Sequence, residues 1–544
     1  TATPPKWLVD TMPDMVAIDE QGRPRGFGSR RHYCFSHEGY RAECRRIVTA
    51  LAERYGAHPA VVMWQTDNEY GCHFTVESFS KDAAIAFREW LKNKYGTIQA
   101  LNKAWANLFW SQSYFSFDEI DPPYQAVTEI LPVHQLDWKR FSSDQVLAFN
   151  QEQVAIIQKG SPKRPVSHNF MGFFTEFDHY RVSQDLDIAT LDSYPIGFTQ
   201  MFFLNQEEKM KWAEVGHPDI PGFHYDLYRG MCRGKRWWIM EQQPGPVNWA
   251  HWNPIPKDGM VRLWSWQAFA HGCELVSYFR WRQSPYAQEQ MHAGLLAPDS
   301  SEAQGAVEVA QLSQEIQNFQ SQTSAGTLQV ANASVALLFD YDSMWMAALS
   351  PQGKDYNAIE QVFRIYSALR SLGLDVDIVS SDSSFENTPY QMVVLPAQWH
   401  VSANLQKQLQ HLASRNIPIV MAPRVASKTE NLSISEPLPP GPLTALAGVK
   451  VKRVSSLPPG ITVDISTASA SMHNHHQHQV TRWMEDIECL TAKPYWQSAK
   501  SKLVVAKNNT TYYVAAWLEQ ETWKTLFSEI THQYGIATQS LAEG

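Results

Sequence analysis

The sequence has no apolar run of eighteen residues, so no segment of it reads as a membrane-spanning helix. Cysteine is scarce: Cys34, Cys44, Cys72, Cys232, Cys273 and Cys489 are scattered through 544 residues without a pattern. That suits reduced thiols in a reducing, cytoplasmic setting better than a disulfide framework. Positive charge is also short, with 46 Lys and Arg against 55 Asp and Glu and a net charge of −9, which argues against a nucleic-acid partner. The opening residues TATPPKW hold neither a basic stretch nor an apolar core, so no signal peptide is read there. No internal repeat or coiled-coil heptad is present.

Aromatic residues are plentiful instead: 20 Trp, 21 Tyr and 25 Phe. Flat rings fill cores, and they also lie against the C–H faces of sugars, so composition alone does not choose between the two. At this length one core is not enough, and two or more domains are expected.

Through the first 300 positions, short apolar runs end in polar, chemically loaded residues. They are VVMWQTDNE (61–69), PVSHNFMG (165–172), DIATLDSYP (187–195), RWWIMEQQPG (236–245) and ELVSYFRWR (274–282). Helical patterns such as 81–96 and 143–160 lie between most of them. Buried strands alternating with helices predict parallel βα units. Chemistry gathered at the strand ends predicts a TIM barrel, (β/α)8, whose active sites occupy that face. A closed barrel takes eight strands, and these segments supply five, with TATP as the possible tail of another. The barrel is therefore expected to be incomplete, with its first two or three βα units missing. A chain lacking them is expected to fold and turn over poorly on its own.

From about residue 330 a second α/β pattern begins. Strands are expected at 334–340, 374–380, 390–397 and 417–423, with amphipathic helices at 355–373 and 403–415. Two loops, 432–441 and MHNHHQHQ (472–479), interrupt this part before a hairpin over 502–518 with an Asn-Asn turn and a closing helix. The histidines of 472–479 read as a solvated loop rather than a metal site. The expected domains are 1–320, a partial barrel, and 330–544, a smaller doubly wound α/β domain.

Glu69 and Glu241 both stand at the end of an apolar run, each with Trp and Asn nearby. A single carboxylate in that position reads equally well as a rim salt bridge. Two on the rim of one barrel suit a retaining glycosidase, which sandwiches an anomeric carbon between carboxyl groups about 5 Å apart. Asn68, directly before Glu69, is a neutral amide that can bond the sugar's 2-hydroxyl.

The stretches WQTDNEYGCH, MEQQPGPVNW, FGSRRHYCF, SYFRWRQSPYAQEQMHAGL and DSYP resemble the β-galactosidases of glycoside hydrolase family 42, strongly over residues 1–320 and more loosely beyond. By that resemblance Glu69 is the acid/base and Glu241 the nucleophile. The family's galactose pocket falls on Arg31, Asn68, Trp110, Tyr194, Trp249, Phe279, Glu289 and His292. Tyr194 is expected to donate to Glu241, Arg31 to supply a fixed cation, Trp249 and Phe279 to wall the sugar, and Glu289 with His292 to grip hydroxyls. Arg31 also reads as a surface cation, and Trp110 and Phe279 as core packing.

Some relatives hold a structural zinc on four cysteines. Here the aligned positions are Cys34, Ser78, Ser80 and Ala83, and hydroxyls with a methyl do not replace thiolates, so no metal is expected there. The adjacent Cys72 and His73 lack further partners and read as packing.

The second domain resembles the family's trimerisation domain, itself laid out like class I glutamine amidotransferases. The elbow after MVVLPA reads QWHVS, without a nucleophilic cysteine, so assembly into a homotrimer is its expected work. The resemblance implies a retaining exo-β-galactosidase that needs no cofactor, acts on lactose, galactooligosaccharides or galactan fragments, and takes α-L-arabinopyranosides as a side activity. The competing readings are another clan A glycosidase, acting on β-glucosides or β-mannosides, and a non-catalytic carbohydrate-binding protein.

Overall fold

The computed structural model describes residues 2–232, 236–322, 332–467 and 478–539. All five apolar runs of the first part form strands of one parallel sheet: β1 Trp64–Gln65, β2 Val166–Phe170, β3 Ile188–Ser193, β4 Arg236–Gln242 and β5 Val276–Tyr278, hydrogen-bonded in sequence order. Sequence order without a switch point is the pairing of a (β/α)8 barrel, and eight strands would close it. Among the described residues of TATP, Ala2–Pro4 form no strand, although Arg31 N donates to Ala2 O at 2.8 Å.

β2 is buried along its whole length, yet it carries Ser167, His168 and Asn169. Such polarity inside a sheet is stable only when each group finds a partner. His168 Nδ1 bonds Thr66 O at 2.7 Å, and its ring stacks on Tyr70 at 4.0 Å.

Behind the sheet runs the helix Pro132–Gly160, started by a proline in its first turn, where the missing N–H costs nothing. Its buried Asn150 accepts from Thr66 Oγ1 (2.8 Å) and Tyr70 Oη (3.2 Å), and Gln153 Nε2 donates to the same Tyr70 hydroxyl (2.9 Å). Thr66 and Tyr70 flank Glu69, so one helix pins both sides of the turn that follows β1.

The second part is one mixed sheet of eleven strands. Its parallel half has β6 Val335–Leu338, β7 Val376–Val379, β8 Met392–Leu395 and β9 Ile419–Met421, in the order β7-β6-β8-β9 with helices Ala358–Arg370 and Ala403–Ser414 between strands. This is the doubly wound arrangement expected. The hairpin and the closing helix, Gln520–Tyr534, are also present.

The sequence reading places no strand between 424 and 501, whereas the described residues there form four. They are β10 Val449–Ser456, β11 Val463–Thr467, β12 Gln479–Cys489 and β13 Lys493–Ser498, all antiparallel to their neighbours. β14 Leu503–Asn508, β15 Thr511–Val514 and β16 Ala516–Leu518 complete the sheet. Residues 468–477, with most of the histidine-rich loop, lie outside the described residues.

Charged pairs join the two parts. Arg140 donates to both carboxylate oxygens of Asp342 at 2.6 Å and to Glu430 O at 2.8 Å. Arg229 Nη2 reaches Asp377 at 2.8 Å, and Tyr366 Oη donates to the buried Asp226 at 2.6 Å. The six cysteines form no disulfide. Among the described residues, no helix is long and apolar enough to cross a membrane.

Candidate active site

Neighbouring strands of a parallel sheet bring their ends to one face, and the acidic residues meet there. Asp192 on β3 is the register partner of Glu241 on β4, so both side chains leave the same side of the sheet. Glu69 arrives from the turn after β1, held by its backbone N–H to Asn169 O at 3.0 Å. One carboxyl oxygen from each of Glu69, Asp192 and Glu241 lies within 4.8 Å of the other two. Glu69 and Asp192 are buried and Glu241 is half-buried.

The turn bearing Glu69 is conformationally unusual. Asp67 has φ of 44° and Glu69 has φ of 46°, the left-handed region that non-glycine residues rarely adopt. Asp67 is held by three donors: Arg31 Nη1 (3.3 Å), Tyr33 Oη (3.2 Å) and the Asn68 backbone N–H (2.7 Å). Burial is the largest influence on Asp67 and opposes its charge, but Arg31, the Asn68 backbone N–H and His168 are among the groups that together outweigh it and keep the carboxyl below its ordinary value.

Around the acids stand specific donors. Tyr194 Oη donates to Glu241 Oε2 at 2.6 Å, as the sequence reading expects. Asn169 Nδ2 faces three oxygens: Asp192 Oδ1 at 2.6 Å, Glu241 Oε1 at 3.0 Å and Asn68 Oδ1 at 3.1 Å. Arg30 pairs with Glu69 Oε2 at 2.8 Å. Desolvation, then the facing charge of Glu69, push Glu241 up to about 7, while the Tyr194 hydroxyl and Arg30 pull the other way. Burial, then Glu241 and Glu69, hold the Asp192 carboxyl far above the ordinary carboxylate range.

The expected pocket residues are distributed unevenly. Trp249 meets Tyr194 edge to face at 5.4 Å, and His292 meets both Tyr194 (5.7 Å) and Phe279 (5.2 Å) in the same way. These four rings make one wall beside Glu241. Burial lowers the His292 ring below its ordinary value; its Nδ1 bonds Ala293 O at 3.1 Å, and its buried Nε2 has no protein partner.

Arg31 is 1% exposed, so it is not a surface cation, and its Nε and Nη2 are buried without protein partners. The arginine that touches a catalytic candidate is its neighbour, Arg30. Glu289 pairs with Arg280. Trp110 is 64% exposed with φ of 56°, so it is not core; its ring lies against Phe109 at 4.9 Å. The described contacts do not join Trp110 to the acids.

Three residues were not in the expected set: Asn169, Asp192 and Arg30. Asp192 lies inside the DSYP stretch and Arg30 beside Arg31, so each stood one or two positions from a residue already singled out. Asn169 carried only a weak signal, a polar residue in an apolar strand.

Cys34, Ser78, Ser80 and Ala83 do converge. Ser80 Oγ donates to Cys34 Sγ at 3.3 Å and caps the helix Lys81–Tyr95 by accepting from Ala83 N at 3.3 Å, while Ser78 and Ala83 line the same small gap. One thiol among hydroxyls is a poor donor set for zinc. Burial and then Glu69 push Cys72 up to about 11, and its Sγ contacts His73 Nδ1 at 3.0 Å.

A family model described as β-galactosidase, glycoside hydrolase family 42, matches residues 1–319, and one described as β-galactosidase trimerisation domain matches 333–537. A β-galactosidase of Thermus thermophilus is 48% identical over 544 residues, covering 100% of this chain and 81% of that protein. One from Halorubrum lacusprofundi is 43% identical over 460 residues, covering 84% of this chain and 64% of that protein. Among solved structures, a β-galactosidase from the psychrophilic Marinomonas ef1 matches with a TM-score of 0.94 at 47% identity, covering 100% of this chain and 82% of that one.

Proposed function

The chain belongs to the β-galactosidases of glycoside hydrolase family 42, and from that premise we propose that Glu241 is its nucleophile and Glu69 its general acid and base. The activity is hydrolysis of terminal, non-reducing β-D-galactosyl units with retention at the anomeric carbon. The observation that carries the retaining reading is that the Glu69 and Glu241 carboxyl oxygens lie within 4.8 Å of each other, and the Tyr194 hydroxyl on Glu241 supports the choice of nucleophile. Retaining enzymes hold these groups about 5–5.5 Å apart, whereas inverting ones need about 6.5–9.5 Å to admit a water.

In the first step Glu241 attacks the anomeric carbon while Glu69 gives its proton to the departing glycosidic oxygen. The product is a galactosyl ester of Glu241. In the second step Glu69 takes a proton from water, the resulting hydroxide attacks the same carbon, and the ester breaks. The Tyr194 hydroxyl favours the ionised nucleophile before attack. Asn68 accepts from Asn169 and Gln65 through Oδ1, which leaves its Nδ2 for the sugar's 2-hydroxyl. Arg31 Nε and Nη2 and His292 Nε2 are buried polar atoms awaiting partners, and sugar hydroxyls supply them. Trp249, Phe279, Glu289 and Trp110 complete the galactose pocket in this reading.

The proposed division is a catalytic unit over 1–320 and an assembly unit over 330–544 that forms a homotrimer. The match of 333–537 to a trimerisation domain supports self-association. Trapping with a 2-fluoro-galactosyl donor tests the roles: label on Glu241 supports them, and label on any other residue overturns them. A panel of nitrophenyl glycosides tests the substrate, with faster release from glucoside or mannoside than from galactoside as the contrary result.

A further inference from the structure

The mechanism uses two of the three carboxyl groups in the cleft and leaves Asp192 without a task. Asp192 is 2% exposed and sits within 4.8 Å of the other two, on the strand that pairs with β4. Three carboxylates with oxygens this close cannot all be ionised, because like charges in a desolvated site repel strongly. Asn169 Nδ2 lies 2.6 Å from Asp192 Oδ1 and 3.0 Å from Glu241 Oε1, so its two hydrogens bridge these carboxyl groups.

We propose that Asp192 is a positioning residue that stays protonated through the catalytic cycle, donating its proton as a hydrogen bond to Glu69 whenever Glu69 is ionised. The inference rests on the assignment of Glu69 and Glu241 as the working pair. The groups acting on Asp192 are consistent with it. Burial, Glu241 and Glu69 all favour the neutral acid, a hydrogen bond with Glu69 favours it further, and the Asn169 amide is the influence against. Tyr194 on the same strand end and Tyr228, from the helix Asp219–Cys232, face Asp192 as neutral phenols, each with its proton held more tightly by burial.

Neutrality has a chemical use. An ionised Asp192 would sit beside the ester formed at Glu241 and repel the electron-rich nucleophile before attack. A neutral Asp192 steadies the ionised Glu69 of the second step and adds no charge to the first. It also anchors Asn169, which bridges to the nucleophile.

Asp192→Asn and Asp192→Ala in the full chain test this, through the pH profile of kcat/KM on a nitrophenyl galactoside, split into kcat and KM. Asp192→Asn replaces one neutral donor with another. It is expected to lower kcat several-fold at nearly constant KM and to leave both limbs of the profile where they were. Asp192→Ala is expected to lose more kcat and to move the alkaline limb to higher pH, because the ionised acid/base has lost a donor. A shift of both limbs to lower pH in Asp192→Asn is the mark of a deleted negative charge and overturns the proposal. Equal behaviour of the two variants, with unmoved limbs, also overturns it, since space-filling then suffices.

If Asp192→Ala does not fold, the Asp192→Asn profile decides, together with difference infrared spectroscopy. A protonated-carboxyl band lost in Asp192→Asn supports the proposal, and the same band retained contradicts it. Fluoro-galactosyl labelling of Glu241 in both the parent and Asp192→Asn separates the two readings: correct label with a shifted profile removes only the Asp192 inference, whereas label elsewhere removes the pair itself.

Discussion

Tyr194 Oη lies 2.6 Å from Glu241 Oε2, so the end of β3 donates to a carboxylate on β4 across the cleft. The contact is short enough for a charge-assisted bond, which is stronger than a neutral one and favours the ionised carboxylate.

Tyr194→Phe deletes that donor while keeping the ring against Trp249 and His292. Bonds to charged groups contribute about 1.5–3 kcal/mol, so kcat/KM is expected to fall roughly 10- to 100-fold. The acidic limb of the pH profile should move to higher pH, since the nucleophile without its donor holds a proton more tightly. Steady-state kinetics over the pH range reads both effects.

Glu69→Ala and Glu241→Ala should fail differently. Losing a general acid costs about 10²–10⁴-fold, and the loss falls on substrates whose leaving groups need a proton. Glu69→Ala is therefore expected to cleave dinitrophenyl galactoside far better than lactose. Glu241→Ala should be equally inert toward both, because the carboxylate that attacks the anomeric carbon is gone. Comparing the two substrates in each variant distinguishes the roles without trapping.

Glu241 also affects stability. Its folded-state value of about 7 lies above the ordinary 4.5, so the native protein binds this proton more tightly than the unfolded chain does. Such a group costs stability as pH rises from about 4.5 through 7. Glu241→Gln removes the cost, and its melting temperature should exceed that of the parent at pH 8 but hardly at pH 4. Because the carboxyl is only half-buried, the gain is expected to be on the order of 1–2 kcal/mol.

Arg140 joins the two parts of the chain through a two-pronged pair with Asp342, and its removal leaves both Asp342 and the buried Asp137 short of a cation. Arg140→Met, which keeps the apolar stem, is expected to destabilise the protein by about 1–3 kcal/mol. Asp342→Asn combined with it should cost less than the sum of the two single changes. Denaturation midpoints for the four proteins of that cycle provide the check.

The sequence made much of the first part legible, for a physical reason. β2 and β3 are buried on both faces, and the partly exposed β1, β4 and β5 still fall in apolar runs, so all five were visible, and a carboxylate directly after such a run marks itself, as Glu69 does. The cluster around it was less visible. Asn169 and Asp192 lie within strands, where a polar residue can as easily be one partnered in the sheet, and only the register of β3 on β4 brings Asp192 beside Glu241. Arg30 and Arg31 are neighbours of one chemical type, and nothing in their order says which one turns toward Glu69. The antiparallel strands were hidden by composition: β10, VKVKRVSS, buries only its first few residues and is otherwise charged or hydroxylic apart from the exposed Val454, as an edge strand is.

β15 runs parallel to β9, pairing Thr511 with Ile419 and Tyr513 with Met421, and it stitches the antiparallel ladder onto the doubly wound one. The backbone between those partners passes through the proline-rich loop at 432–441. A protease cut in that loop would sever the polypeptide without parting the pieces, since backbone bonds of β9 and β15 straddle the nick. The cleaved protein should migrate as one species on a native gel and as two bands once denatured.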